Sequence, residues 1–320
     1  MRSVSRRTFL AGLALTPVLL SGCLSSRPLY LATHGWIGYE PLFLARQHGW
    51  LASSAAQLVE TPSATDSLHL LGNGVVQAAT LTLDEVLRAR SLGMDLRIPL
   101  IFDISAGADG VLSRQPMPLS ALKGKRIGVE QSAVGALMLA ELLSKAGLTA
   151  HDVTPIHLGF DEHLRAWRQR QVDVLITFEP TLTQLEKEGA VLLFDSQQMP
   201  DTIIDVLAVN ASAIDPQQQH LRHSVTAILR AIDDMKQNRQ DALYHMSERL
   251  HKPAAVLEQS LQGLQLTGLH QNRRMLAGTM PLLERQAKKV ATILAAEGLL
   301  PALSPALWQH LASAEFLPSS

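Results

Sequence analysis

The chain has 320 residues, 47% of them hydrophobic and 18% charged, enough to bury a large core and too apolar to stay disordered. Its 28 Lys and Arg against 29 Asp and Glu leave a net charge of −1 with no basic stripe, and aromatic residues make up only 4%. Capture of nucleic acid by charge, base stacking and aromatic sugar shelves are all disfavoured. The single cysteine excludes an internal disulfide and a Cys-based zinc knuckle.

Residues 1–22 have the outline of a signal peptide, with Arg2, Arg6 and Arg7, no acid, and an apolar body from Phe9 to Leu20 broken by Pro17. That body spans roughly 12 residues, short of the ~20 needed to cross a bilayer as a helix. Ser5-Arg6-Arg7-Thr8-Phe9-Leu10 resembles a twin-arginine export signal, and Leu20-Ser21-Gly22-Cys23 resembles the lipobox of bacterial lipoproteins. In that motif the cysteine is lipidated and becomes the first residue, so Cys23 is expected to anchor the protein to a membrane, on the periplasmic side, through a tether at 23–28. Without the three leader arginines, 25 basic residues face 29 acids and the net charge is about −4.

Beyond the tether, short apolar or β-branched runs alternate with helical periodicity, as in an α/β architecture with mostly parallel strands. Strands are predicted at 29–33, 57–60, 77–81, 97–104, 110–113, 126–129, 153–158, 172–178, 191–195 and 205–209. Helices are predicted at 41–48, 64–71, 83–91, 134–145, 162–170 and 181–187, where apolar residues recur at i, i+3 and i+4. After Asp215-Pro216 no strand-like run remains, and the last hundred or so residues are expected to be all helix, with Leu221, Val225, Ile228, Leu229, Ile232 and Met235 as one buried stripe.

Trp36-Ile37-Gly38-Tyr39-Glu40-Pro41-Leu42-Phe43-Leu44-Ala45 resembles the opening of substrate-binding proteins of ABC importers for nitrate, alkylsulfonates, taurine and thiamine pyrimidine precursors. Leu119-Ser120-Ala121-Leu122-Lys123-Gly124-Lys125-Arg126-Ile127-Gly128-Val129, Gln171-Val172-Asp173-Val174 and Phe178-Glu179-Pro180 are similar to that family's later segments. The resemblance implies the type II periplasmic-binding-protein fold, an α/β fold of two lobes with a helical C-terminal tail. From the strand pattern, the chain is expected to cross between lobes near 111–115 and 204–208. Lobe 1 is then 29–115 plus 204–320, and lobe 2 is 116–203.

Ligands collect beyond the carboxyl ends of parallel strands, which points to 33–39, 80–82, 105–107, 130–134 and 178–180. The candidate binding residues are Trp36, Tyr39, Thr80, Thr82, Ser105, Ser132, Val134, Glu179 and Asp205. Ser132, at a helix start, is either a plain cap or the residue that leaves backbone N–H groups free for a ligand. Trp36 and Tyr39 either stack on a flat ligand or plug the loop; Glu179 either caps the next helix or accepts hydrogen bonds from an amine; Asp205 serves the hinge or the ligand.

Catalysis is not expected: Glu130 and Val134 stand where a G-x-S-x-G elbow around Ser132 needs glycines. Nor is a cofactor, since Gly72-Asn73-Gly74 lacks a third glycine at dinucleotide spacing. His151, His157 and His163, or His220 with His223, do not make a metal-ligand pattern. The expected role is capture of a small molecule for an ABC permease, with a membrane sensor as the alternative partner and a pyrimidine-synthesis enzyme disfavoured by the export signal. No Lys or Arg lies in the predicted cleft loops, which favours a neutral or cationic nitrogen ligand over an oxyanion.

Overall fold

A computed structural model describes residues 27–130 and 134–319, so the leader, Cys23 and Ser132 lie outside the described residues. The first lobe opens with β1 (Leu29–Thr33), followed by α1 (Glu40–Gln47), β2 (Ala56–Glu60), α2 (Ala64–Gly72), β3 (Ala78–Thr82), α3 (Leu83–Ser91) and β4 (Leu96–Ser105). β3 is buried throughout and β1 nearly so, as in a sheet covered on both faces by helices. Ser63 caps α2 by accepting the Asp66 N–H at 3.1 Å, and Glu85 in the first turn of α3 accepts the Thr82 N–H at 2.8 Å.

A second sheet is built from β5 (Asp109–Ser113), β6 (Arg126–Val129), β7 (Thr154–His157), β8 (Val174–Phe178) and β9 (Val191–Asp195). Helices α4 (Val134–Ala146), α5 (His163–Arg168) and α6 (Thr181–Lys187) alternate with its strands, which are ordered β7-β6-β8-β5-β9. The chain then returns through β10 (Ile204–Asn210), which inserts antiparallel between β3 and β4.

The tail consists of α7 (Ala211–Gln237), α8 (Arg239–Leu250), α9 (Ala254–Ser260), β11 (Leu264–Leu266), α10 (Leu269–Leu276) and α11 (Leu282–Ala296). The tail is therefore not all helix: β11 pairs antiparallel with β4 and completes a first sheet ordered β11-β4-β10-β3-β1-β2. Three residues are too few to show alternation in sequence. Pro216 lies inside α7, within its first turns. Among the described residues no helix is long and apolar enough to cross a membrane.

The chain passes between the sheets at 106–108 and 196–203, not at 111–115 and 204–208. Asp109–Ser113 is bonded along its length to β8, and Ile204 already pairs with Ile104 of β4. The break in the apolar run is Gly107, whose φ of +119° is open mainly to glycine. At this crossing the Ser105 and Ser196 hydroxyls lie 2.7 Å apart, and the Gly107 N–H donates to Ser196 Oγ at 2.7 Å. The tail touches the same place, since the Ala106 N–H donates to the Gly263 carbonyl at 2.8 Å. It also reaches the second lobe: Ser260 Oγ donates to Glu179 Oε2 at 2.9 Å and Lys252 Nζ to Gln184 Oε1 at 2.8 Å.

Candidate functional site

The parallel strands β1, β3 and β4 end at one edge of the first sheet, where antiparallel β10 begins. Opposite them lie the ends of β6 and β8 and the start of β5. Loops and helix starts from both lobes converge there, around a cavity of about 30 Å³ lined by His34, Trp36, Ser63, Thr82, Glu85, Asp109, Glu130, Val134, Phe160, Phe178, Ile203 and Asp205, among others. A second void of about 10 Å³ lies behind it against Asp109, Glu130, His163 and Thr177. The larger has room for one or two waters. A bigger molecule is admitted only when the lobes part. An aromatic contact closes the gap: Trp36 of the first lobe meets Phe178 of the second edge-on at 5.4 Å, and Phe178 stacks on Phe160 at 4.3 Å.

The electrostatics of this cavity are one-sided. Glu85, Asp109, Glu130 and Asp205 line it, and no Lys or Arg does among the described residues. Burial, then the charge of Asp84, pushes Glu85 up to about 8. Burial pushes Asp109 up to about 7 against a hydrogen bond from Ser105, and burial with the charge of Asp109 pushes Glu130 to about 7. Asp205 faces Asp103 across the β10–β4 ladder, so burial and then like charge raise it well above the usual carboxylate range. Asp103 rises too, chiefly by burial, because the Trp36 indole N–H approaches it without completing a hydrogen bond. Among the described residues, both Asp103 oxygens, Asp109 Oδ2 and Asp205 Oδ2 have no hydrogen-bond partner, although buried carboxylate oxygens are rarely left so. Burial also lowers His34 and His163 to about 4, so both are neutral and add no positive charge at pH 7.

The sequence profile of the NMT1/THI5-like family matches residues 36–242, well over half of the chain. The chain belongs to the NMT1/THI5-like family. Similar solved structures include the alkanesulfonate-binding protein SsuA of Xanthomonas axonopodis pv. citri bound to MOPS, with 20% identity, 86% of this chain and 94% of that one covered, and a TM-score of 0.72. The aliphatic sulphonate binding protein SsuA of Escherichia coli gives 17%, 89%, 98% and 0.73 for the same measures. The nitrate-binding protein NrtA of Synechocystis PCC 6803 gives 13%, 92%, 91% and 0.70. They show the periplasmic-binding-protein fold. A curated relative, a chaperone protein HscA homolog of Aromatoleum aromaticum, is 29% identical over 151 residues, 45% of this chain. The chain spans only 22% of that relative's length.

In this NMT1/THI5-like chain the predicted residues divide sharply. Trp36, Thr82, Val134 and Asp205 line the cavity. Tyr39 does not: its ring is buried against Phe102 and His34, and its hydroxyl donates to Asp205 Oδ1 at 2.6 Å. Thr80 is buried one layer down, donating to Thr33 Oγ1 at 3.0 Å. Ser105 serves the crossing. Glu179, expected to accept from a ligand, is occupied by Thr183 N–H at 3.1 Å, Thr183 Oγ1 at 2.6 Å and Ser260 Oγ, so the capping reading holds for it. The carboxylates that do line the cavity besides Asp205 are Glu85, Asp109 and Glu130. Asp109 and Glu85 went unnoticed because one reads as part of a glycine-rich turn and the other as an ordinary acid in a helix's first turn.

Gly38 sets the position of the Trp36 indole. A Cβ there would lie 2.0 Å from Asp103 Oδ2 and 2.4 Å from Trp36 Nε1, so Gly38→Ala must push the indole or the carboxylate aside. Ligand affinity is expected to fall at least about tenfold, a loss of roughly 1.4 kcal/mol, and the tryptophan emission to shift. Calorimetry and fluorescence on a variant of unchanged circular dichroism check this.

Proposed function

We propose that this chain is an exported, lipid-anchored solute-binding protein of an ABC importer, and that its ligand is a nitrogen cation or a flat N–H-rich base of aminopyrimidine type. One observation carries the ligand class: among the described residues, four carboxylates and no Lys or Arg line the cavity. A sulfonate or nitrate, the ligands named for similar folds, would find no basic side chain among the described lining residues, and would meet like charge as Asp109 and Glu130 ionise through about pH 7 and Glu85 through about 8. An amine or ring N–H supplies the donors that Asp109 Oδ2 and Asp205 Oδ2 lack. Trp36, Phe160 and Phe178 offer faces for a cation or a flat ring. Because the ligand touches acids from both lobes, it binds the closed arrangement more tightly than the open one and shifts the population toward it. The closed form is then what a permease would read.

Native mass spectrometry of the gently purified protein, with calorimetry against aminopyrimidines, polyamines, taurine and nitrate, tests the reading. An amine or aminopyrimidine should bind with micromolar affinity or better, and taurine and nitrate should not bind. Tight taurine binding would sink the proposal. The anchor has its own test: Cys23→Ser should abolish labelling by a fatty-acid analogue and release the protein from membranes or leave its precursor unprocessed. Membrane attachment that survives in a cleaved Cys23→Ser protein would place the anchor elsewhere.

A further inference from the structure

Away from the cleft, on the outer side of the first lobe, three separate elements bring two imidazoles and two carboxylates together. His48 directly follows α1, Asp234 lies near the end of α7, and Asp241 and His245 are one turn apart on α8. His48 Nε2 stands 3.7 Å from Asp241 Oδ2 and 4.0 Å from Asp234 Oδ2, and His245 Nε2 stands 3.6 Å from Asp241 Oδ1. One ligand atom from each of His48, Asp241 and His245 lies within 4.8 Å of the others. His48 Nε2 is itself buried and, among the described residues, makes no hydrogen bond.

We propose that His48, Asp234, Asp241 and His245 form a binding site for a divalent transition metal ion of the zinc class. Zinc bonds to imidazole nitrogen and carboxylate oxygen are about 2.0–2.2 Å long, so donor atoms around a tetrahedral ion stand roughly 3.3–3.6 Å apart. The His–carboxylate separations of 3.6, 3.7 and 4.0 Å lie within a few tenths of an ångström of that spacing, while the remaining gaps among His48, Asp241 and His245 reach up to 4.8 Å, so the side chains must draw together around the ion. Two nitrogens with two carboxylate oxygens suit zinc, and calcium or magnesium would want an all-oxygen set.

The surroundings already orient these donors. The His48 ring stacks on Trp50 at 4.6 Å, and Asn238 Nδ2 donates to Asp234 Oδ1 at 2.7 Å, which leaves Oδ2 facing His48. Gln47 Nε2 lies 2.8 Å from His245 Nδ1. Turned to present its oxygen, the Gln47 amide accepts the Nδ1 proton and leaves the Nε2 lone pair for the metal. A bound ion would join α1, α7 and α8, which pack on one another, with α7 lying against β1, β4 and β10 of the first sheet. The site is independent of the ligand reading, because none of its residues lines the cleft.

The test uses the untagged protein, stripped of metal by a chelator and titrated with zinc chloride alone. One equivalent should bind with micromolar affinity or better and raise the melting temperature, and cobalt(II) should show the visible bands of a tetrahedral site. Asp241→Asn, a conservative change at a half-exposed position, and His245→Ala should each weaken zinc at least tenfold. Asp109→Asn in the cleft should leave zinc binding intact. No zinc binding, or binding that survives both outer variants and is lost in Asp109→Asn, overturns the proposal. Magnesium or calcium binding as tightly as zinc would overturn it as well.

Discussion

The ligand-free protein should melt at least about 5 °C lower at pH 8.5 than at pH 6.5. Glu85, Asp103, Asp109, Glu130 and Asp205 all hold their protons more tightly folded than carboxyls do in an unfolded chain, where they titrate near 4. Between about pH 4.5 and 8 the folded state therefore binds more protons than the unfolded one, so stability falls as pH rises. The stabilisation is complete below the unfolded pKa and is lost as pH climbs through 7, for Asp109 and Glu130, and then 8, for Glu85. His34 and His163, lowered to about 4 by burial, push the other way, but their contribution is already complete above pH 6.5. With each kcal/mol worth about 2–4 °C, a few ionising acids suffice. A saturating cationic ligand should flatten the decline by pairing with the ionised acids. Differential scanning calorimetry across the range decides, and a melting temperature that stays level or rises without ligand would contradict the buried acid cluster.

Asp109→Asn should weaken an amine ligand by on the order of a hundredfold at pH 8. Asp109 sits at the start of β5, where the second sheet meets the first lobe, and it lines both voids. Its Oδ2 is buried without a partner, so the isosteric amide keeps the shape and removes the charge. Losing one side of a desolvated ion pair costs about 2–5 kcal/mol, and 1.4 kcal/mol is tenfold. The pH dependence follows the same carboxyl. Below about 7 it is protonated and neutral, and binding a cation must expel that proton, so wild-type affinity should rise with pH through this range. In Asp109→Asn the rise should be shallower. Calorimetry in buffers of different ionisation enthalpy reads both the affinity and the proton released. Equal affinities in the two proteins at pH 8 would remove Asp109 from the ligand's contacts.

The alternation of the strands, the inserted lobe and the cleft at the strand ends were legible because period and order carry them, and the family's segments fall where those elements begin. The crossings were harder to place. Leu96–Ser105 and Asp109–Ser113 read as two apolar strands, and only hydrogen bonding tells which sheet each joins. Trp36 and Asp205, chosen for their place after or at a strand, line the cavity. Asp103 carried a usable signal that was passed over. It is a lone acid inside the run Leu96–Ser105, where an uncompensated charge is costly to bury, and such a residue marks either a partner or a ligand. Glu179 misled because sequence cannot reveal that Ser260, 81 positions away, takes up its carboxylate. His48 and His245 were invisible as a pair for the same reason, being 197 residues apart and joined only by the packing of α1 against α8.

The tail's grip on the second lobe decides which way the mouth faces. Both crossings, Gly263 and the Ser260–Glu179 bond lie at the end of the sheets formed by β11, β4 and β10 in one lobe and β5 and β9 in the other. That end is bolted by three passes of chain, and a Cβ on Gly263 would already come within 2.6 Å of Ala108 N. At the far ends, β1 and β2 against β6 and β7, the described chain makes no crossing, although Glu297 and Leu299 just past α11 line a hollow with Leu139, Pro155 and His157 of the second lobe. Under the proposed function, a solute would pass between the Pro62-Ser63-Ala64 rim and Glu130 with Phe160, which line the same cavity from the two lobes. Under the importer role proposed above, the lips of the cleft along that rim, and not its spine, are the surface on which a permease would control release.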